Sequence, residues 1–427
     1  MITISSVEKL TEFVNTARTI WTEELQRPIP DDMLAAWIAA FSAGQTGEQM
    51  RAALQASAED VEKHKVPTVP PVAPMLPLHT DGRIFRREDG ARWLWHGMTQ
   101  FRLVEMVARG REAEVVEILR KASAAKISIL RVLCMKALSS GNLFQLEPGE
   151  GQAALPRLLA LAEQSGVYIE AVALADTALF PGTSSDIERH VRIIGATCES
   201  SPAALLEIAN EPIHPTQLAS LSDPAYLLSL RRLVSPAVLC ALGAAHGADD
   251  SNRAFTGGDY VTVHADRADG ENGWRWVRHQ REEWDIAIET GKPVVNDETQ
   301  KVDLAADKQW ATGVLMAMLS LGDTFHFPGG LLGQSPAGDE LTALDARRAG
   351  WDAIGEWNGL YYNVGSSGPL AAADFTHVLR VYSSIAGGAG WALAVDVEGD
   401  PGIVWRAPWR VAGTQDVGKA RLYRLAQ

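Results

Sequence analysis

Cysteine is scarce in this chain, and the few cysteines present are far apart. The 427 residues include three cysteines, Cys134, Cys198 and Cys240, each in an apolar segment and without a CxxC spacing. Scattered cysteines in odd number argue against a disulfide framework and favour small, buried, reduced side chains.

Long apolar runs and clusters of positive charge are missing as well. No run of about 18 apolar residues occurs, which argues against a membrane span, and the start, MITISSVEKL, lacks the regions of a cleaved signal peptide. Acidic residues outnumber basic ones by 53 to 39, which gives a formal net charge of −14. Because nucleic acids and anionic membranes are bound by clustered positive charge, neither is expected as a partner. These features predict a cytoplasmic protein, or one released without a cleaved signal peptide.

The familiar cofactor and metal motifs are also absent from the sequence. There is no P-loop, no HExxH, no GxSxG, no calcium-loop spacing, and no GxGxxG after the first predicted strand. We therefore expect neither a cofactor nor a metal ion.

The spacing of apolar residues divides the chain into four regions. Residues 1–63 show helical periodicity and predict a helical module, and residues 64–84 are proline-rich and predict an extended linker. Residues 85–357 alternate between strand-like and helix-like segments, whereas 358–427 alternate with period two and predict a small antiparallel β unit. Part of the first region, WTEELQRPIPDDMLAAWIAAF, resembles a helical module of bacterial and phage surface proteins, although the usual glycines are missing.

Eight strands are predicted in the third region. They lie at 93–99, 127–134, 167–174, 204–209, 237–242, 259–264, 293–296 and 323–327. Strands that alternate with helices favour a parallel sheet with right-handed crossovers. The number of strands and the length favour an α/β fold of the (β/α)₈ TIM-barrel type over an open doubly wound sheet.

Two glutamates follow predicted strands of this region. In AALLEIANEPIHP, Pro212 removes a backbone donor and must end the fourth strand, which places Glu211 at its carboxyl end. Glu298, in KPVVNDE, ends the seventh strand. Strands four and seven lie on opposite sides of a closed barrel, so the two carboxyl groups can face each other. Retaining cleavage of a glycosidic bond needs two carboxyl groups about 5–5.5 Å apart. Asp297 remains an alternative to Glu298, or the cap of the following helix.

The segments IANEP and KPVVNDE, on the fourth and seventh strands, resemble the clan A glycoside hydrolases, over about residues 85–335. The resemblance implies a retaining (β/α)₈ enzyme with Glu211 as acid/base and Glu298 as nucleophile. It also implies that Arg131, on the second strand, contacts the nucleophile and that His264, which ends the sixth strand, lies near it. The chain departs from the family at the eighth strand, where FHFPGG replaces the usual tryptophan.

Further side chains are predicted to bind the carbohydrate substrate. Asn210 is expected to offer its amide to the sugar 2-hydroxyl. Other candidates at the barrel mouth are His96, His326, Trp274 and Trp276, and the secondary candidates are His214 and Asp176. The sequence thus predicts a retaining glycosidase that cleaves β-linked polysaccharides or oligosaccharides. The alternative is a non-catalytic glycan-binding or structural protein of a phage or surface particle, with an assembly partner for the helical module. An isomerase or aldolase is disfavoured, because no strand-borne lysine is suitably placed.

Overall fold

The structure is a computed structural model that describes residues 74–137, 144–180, 182–245, 252–264, 283, 285–298, 307, 310–311, 314, 322–325, 380–386, 389–395, 399 and 402–427. The predicted helical module and the first part of the linker lie outside these ranges. None of the helices within them combines the length and apolar character needed to cross a lipid bilayer.

A small antiparallel sheet precedes the main sheet. Its strands are β1 (Leu78–Asp81), β2 (Ile84–Arg87) and β3 (Arg92–Trp93). The linker was expected to reach residue 84 and the first strand to run from 93 to 99, whereas the structure places both ranges partly in this sheet. The physical reason is that Leu78, Phe85 and Trp93 bury their side chains together with Trp95. Gly82, at φ +57°, makes the turn that a hairpin of this kind requires.

Eight parallel strands form the main sheet, and each overlaps one of the predicted strands. They are β4 (His96–Thr99), β5 (Ile129–Leu133), β6 (Tyr168–Leu174), β7 (Ala204–Ala209), β8 (Cys240–Ala241), β9 (Val261–Val263), β10 (Val294–Asn296) and β11 (Gly322–Phe325). The helices between the first five are α1 (Leu103–Ala108), α2 (Glu112–Ala124), α3 (Pro148–Ser165), α4 (Ser184–Glu199) and α5 (Pro224–Arg231).

The order of these strands is that of a barrel opened between its fifth and sixth strands. The sheet runs β8-β7-β6-β5-β4-β11-β10-β9, and each neighbouring pair is parallel. No strand ladder joins β8 to β9 in the described chain, although the Asp259 amide donates to the Cys240 carbonyl at 2.8 Å. Side chains from β5, β7 and the end of β10 nevertheless meet, so the sheet curls around an interior. Complete closure into a (β/α)₈ barrel stays a prediction.

Apolar side chains cover both faces of the sheet, as expected for parallel strands. Outside, Met98, Leu130 and Ile208 pack with residues of the helices in one large cluster. Inside, at the amino ends of the strands, Trp95 and Tyr260 pack with the hairpin residue Phe85. This aromatic cluster fills the interior at the amino ends of the strands, and the polar groups lie toward the carboxyl ends.

The C-terminal region is a four-stranded antiparallel sheet in the order β12-β13-β15-β14. Its strands are β12 (Arg380–Ala386), β13 (Ala389–Val395), β14 (Arg410–Val417) and β15 (Ala420–Ala426). Leu393, Val395 and Leu422 belong to the same apolar cluster as the helices of the main sheet. The β unit predicted from period-two alternation therefore packs on the main domain.

Candidate active site

Glu211 lies two residues beyond the end of β7, in a strained turn. The amide of Asn210 still donates to the Leu174 carbonyl at 2.9 Å, and the Glu211 carbonyl then accepts from the His214 amide at 2.8 Å. Glu211 itself has φ +42°, in the left-handed region that non-glycine residues seldom adopt. Such strain costs on the order of 1–3 kcal/mol and is concentrated at functional sites. Pro212 follows at once, so the strand cannot continue.

Asp297 and Glu298 follow β10 in a turn, where strand alternation no longer separates neighbouring side chains. Asp297 has no exposed side-chain surface, whereas 6% of the Glu298 side chain and 13% of the Glu211 side chain are exposed. The Asp297 carboxylate faces buried Arg131 and His264, and the helix that it was expected to cap lies outside the described residues. Of these two neighbouring side chains, Glu298 is therefore the one that has solvent-exposed surface.

The guanidinium of Arg131, on β5, lies at the centre of a group of buried carboxylates. Its NH1 atom is 3.1 Å from Glu298 Oε1, and its NH2 atom donates to Asn210 Oδ1 at 2.9 Å. Its Nε atom is 2.9 Å from Glu207 Oε2 and 3.0 Å from Asp297 Oδ2. Burial acts to lower the pKa of Arg131, but the surrounding carboxylates raise it well above its usual value. Arg131 is therefore a permanent cation that contacts Glu298, and the nucleophilic role of Glu298 stays a prediction.

His264 joins the two ends of the cluster. Its Nδ1 atom is 3.3 Å from Glu211 Oε1, and its Nε2 atom is 3.1 Å from Asp297 Oδ1 and 3.9 Å from Glu298 Oε1. Burial acts to lower the pKa of His264, but Glu298 and Asp297 raise it to about 10. The ring is therefore an imidazolium at neutral pH, and both nitrogens can donate to carboxylates.

The carboxyl groups of Glu211 and Glu298 are close neighbours at the carboxyl ends of the strands. One oxygen of each lies within 4.8 Å of the other and of a His264 nitrogen. Oxygens this close are compatible with the roughly 5 Å between the carboxyl groups of a retaining glycosidase.

Two further acids, Glu170 on β6 and Glu207 on β7, lie fully buried beneath this pair and were not foreseen from the sequence. Glu170 Oε1 accepts from the Tyr260 hydroxyl at 2.9 Å, and Glu170 Oε2 is 3.7 Å from Arg131. Burial first, and then the charge of Asp297, raises the pKa of Glu170 to about 8. Burial likewise raises the pKa of Glu207 well above its usual range, against the opposing effect of Arg131. The available signal was a single Glu in each otherwise apolar strand, YIEAVAL and ALLEIA.

Two sets of side chains in the described part of the chain are close enough to contact one metal ion. They are Glu211, His264 and Glu298, and, beneath them, Glu170, Glu207 and Asp297. In the second set the Arg131 Nε atom already lies 2.9–3.7 Å from all three carboxylates and occupies the position of a cation. The absence of a metal site stays a prediction.

His96 is not at the candidate site. It is the first residue of β4, at the amino end of the strand, whereas Glu211 and Glu298 follow the carboxyl ends of theirs. Met98, two positions further on the same strand face, packs on the helix side. The expectation for His96 was wrong because the predicted first strand began too early. Trp274, Trp276 and His326 lie outside the described residues.

Asp176 and His214, the secondary candidates, lie close to Glu211 and are linked by a shared hydroxyl. Thr216 Oγ1 donates to Asp176 Oδ1 at 2.6 Å and lies 2.8 Å from His214 Nδ1. Asp176 also pairs with Lys136, beyond the end of β5. These side chains form a polar network beside the turn that carries Glu211.

Comparison with solved structures shows the same fold in glycoside hydrolases. One structure described as a glycoside hydrolase has a TM-score of 0.60 and 12% identity, and the match covers 84% of this chain and 99% of that one. A glycoside hydrolase family 5 protein from Bacteroides vulgatus has a TM-score of 0.59 and 11% identity over 83% of this chain and 95% of its own. A putative glycoside hydrolase from the same organism has a TM-score of 0.56 and 13% identity, with 82% of each chain covered. No protein-family profile matches the chain, and no curated protein matches its sequence.

Proposed function

We propose that this chain is a retaining glycoside hydrolase that cleaves β-glycosidic bonds of an oligosaccharide or polysaccharide by double displacement. The observation that supports it most is the pair Glu211 and Glu298, with carboxylate oxygens within 4.8 Å at one edge of the parallel sheet. The chain shares its fold with glycoside hydrolases, which supports this chemistry, and the catalytic assignment itself rests on the site residues. We infer a (β/α)₈ barrel on the same grounds.

In the first step, Glu298 attacks the anomeric carbon while Glu211 protonates the departing glycosidic oxygen. The bond between the anomeric carbon and that oxygen breaks, and an ester bond forms between the sugar and Glu298. The alcohol of the leaving sugar carries away the proton that Glu211 supplied.

In the second step, Glu211 acts as a base and takes a proton from water, whose oxygen attacks the anomeric carbon. The ester bond breaks, and Glu298 leaves as a carboxylate. Two inversions at the same carbon restore its original configuration.

The neighbouring side chains suit these roles. Arg131, 3.1 Å from Glu298 Oε1, holds the nucleophile ionised and oriented. The Asn210 oxygen is occupied by Arg131, so its NH₂ group is the part available to a sugar 2-hydroxyl. The imidazolium of His264 is placed to stabilise negative charge on Glu298 and on Glu211 when the latter is deprotonated.

We expect Glu211→Ala to lower kcat/KM on an unactivated β-linked oligosaccharide by about 10²–10⁴-fold, the usual contribution of a general acid. Aryl glycosides with good leaving groups should lose much less in the first step, because their departure needs no proton. The measurement is kcat/KM over a series of aryl β-glycosides of increasing leaving-group pKa. Glu163→Ala, whose carboxylate accepts from Ser201 on the helix side of the sheet, serves as the control. Equal losses across the whole series would contradict the acid role of Glu211.

We also expect hydrolysis to proceed with retention at the anomeric carbon. Proton NMR of the first-formed product, recorded before mutarotation, should show the β-anomer. A first product in the α configuration would refute the double displacement. Binding of glycans without any hydrolysis across a broad panel would instead favour the non-catalytic alternative.

A further inference from the structure

Among the residues that the structure describes, the interior of the sheet holds more acids than bases. Two cations face five carboxyl groups; the cations are Arg131 and His264, and the carboxyl groups are Glu170, Glu207, Asp297, Glu298 and Glu211. A buried charge without a partner is strongly unfavourable, so a cluster of this kind takes up protons until its charges balance. Balance requires protons on three of the five acids. Under the proposed function one of these is on Glu211.

Contacts with the two cations indicate where the other protons reside. Asp297 has Arg131 at 3.0 Å and His264 at 3.1 Å, and Glu298 has the same two cations at 3.1 and 3.9 Å. The negative charges of Asp297 and Glu298 are therefore the ones that Arg131 and His264 together stabilise most.

Glu170 and Glu207 lie deeper, and each has fewer cations beside its carboxyl group than Asp297 or Glu298 has. Glu170 is 3.7 Å from Arg131 and accepts instead from the neutral hydroxyl of Tyr260. Glu207 contacts Arg131 through Oε2 at 2.8 Å and pairs with no second cation in the described part of the chain. A fully buried carboxylate with one cation or less beside it is more costly than a neutral carboxyl group.

We propose that Glu170 and Glu207 are positioning residues that support the guanidinium of Arg131 from the interior as neutral acids, so that its charge is directed to Glu298 and Asp297. As carboxylates they would compete with Glu298 for the same guanidinium. As neutral acids, Glu207 accepts from it through a carbonyl oxygen and Glu170 packs beside it at 3.7 Å, and both leave its charge available to the nucleophile.

The electrostatics of the described neighbours agree with this arrangement. The titratable groups that face Glu170 and Glu207 are Arg131 from β5, Tyr260 and His264 from the two ends of β9, and Asp297 after β10. Burial and the charge of Asp297 raise the pKa of both acids, and Arg131 and His264 oppose this without cancelling it.

The first test compares Gln and Ala at each position, and it rests on the proposed function because its readout is hydrolysis. Glutamine keeps the shape of a neutral glutamic acid, whereas alanine leaves the guanidinium unsupported. We expect Glu170→Ala and Glu207→Ala to lower kcat/KM at pH 6 by about 10–100-fold, and the Gln variants to restore it to within about threefold of wild type. Gln variants as impaired as the Ala variants would overturn the proposal.

The second test needs no catalysis and therefore separates this inference from the proposed function. The pKa of Glu170 is raised in the folded state to about 8, so its stabilising contribution is complete below the unfolded value and is lost as pH rises toward 8. Between about pH 5 and 8 the unfolding constant of wild type should rise about tenfold per pH unit relative to that of Glu170→Gln. Parallel pH profiles in urea unfolding of the full chain would refute a neutral Glu170.

If the Gln variants do not fold, the infrared spectrum of wild type provides the same information. The C=O stretch of a protonated carboxyl group should be present at pH 7 and should persist in Glu211→Gln, which removes the proton of the general acid. Loss of the whole band in Glu211→Gln would overturn the proposal.

Discussion

Glu298→Gln is expected to lower kcat/KM by roughly 10⁴-fold or more, because the neutral amide cannot attack the anomeric carbon. Arg131 and His264 surround this side chain at 3.1 and 3.9 Å, so the substitution keeps the shape of the site and removes its nucleophile. The measurement is steady-state hydrolysis of an aryl β-glycoside identified by screening. Glu289→Gln, an exposed residue before β10 that pairs with Arg253, is the matched control and should leave the rate unchanged.

Rescue by azide decides between the two neighbouring acids. In Glu298→Ala, azide can enter the space of the lost carboxylate and attack the anomeric carbon, which gives the α-glycosyl azide from a β-glycoside. Asp297→Ala should give no such product, because the Asp297 side chain is fully buried, whereas Glu298 is partly exposed and has an oxygen within 4.8 Å of a Glu211 oxygen. An α-glycosyl azide formed by Asp297→Ala and not by Glu298→Ala would transfer the nucleophilic role to Asp297.

Arg131→Met is expected to lower the free energy of unfolding by about 3–5 kcal/mol, the usual cost of removing one partner from a buried ionic cluster. The guanidinium is the cation that reaches Glu207, Asp297 and Glu298 together, and none of these can exchange it for water in the interior. Urea unfolding at pH 7 measures the loss. The loss should shrink at pH 5, where protonation of the acids is easier.

The control for this variant is Arg157→Met. Arg157 makes a comparable contact with Glu112, at 2.7 Å, but the two side chains are 50% and 40% exposed. Exposed ion pairs contribute about 0–1 kcal/mol, so this variant should unfold nearly as wild type does. If the two variants lost the same free energy of unfolding, the buried cluster would contribute no more to stability than an exposed ion pair does.

Much of the main sheet could be predicted because its strands are marked by local signals. Apolar runs bounded by helical periods gave all eight strands to within a few residues, and β7 with both ends correct. The beginning of β4 was misjudged because Trp93, Leu94 and Trp95 are as apolar and strand-like as the residues after them. The pairing of Trp93 with Phe85 on β2 is a non-local event that periodicity does not record.

The candidate site was predicted in part, and for a physical reason. Glu211 carries its own marker, since Pro212 ends the strand beside it, and Glu298 could be placed by its position after a strand. Glu170 and Glu207 carry no such marker, because one acidic residue in an apolar strand is compatible with either face of a sheet. Whether such an acidic side chain faces the helices or faces Arg131 depends on the register of its strand and on the curvature of the sheet.

The order of residues thus determined which segments become strands and which carboxylates stand at their ends, since backbone sterics and apolar burial act over a few neighbouring residues. Tertiary structure alone decided which charges meet. Arg131 is 167 residues from Glu298 and 76 from Glu207 along the chain, yet it is within 3.1 Å of both. Electrostatic energy depends on distance and burial, and neither is set until the strands are brought side by side.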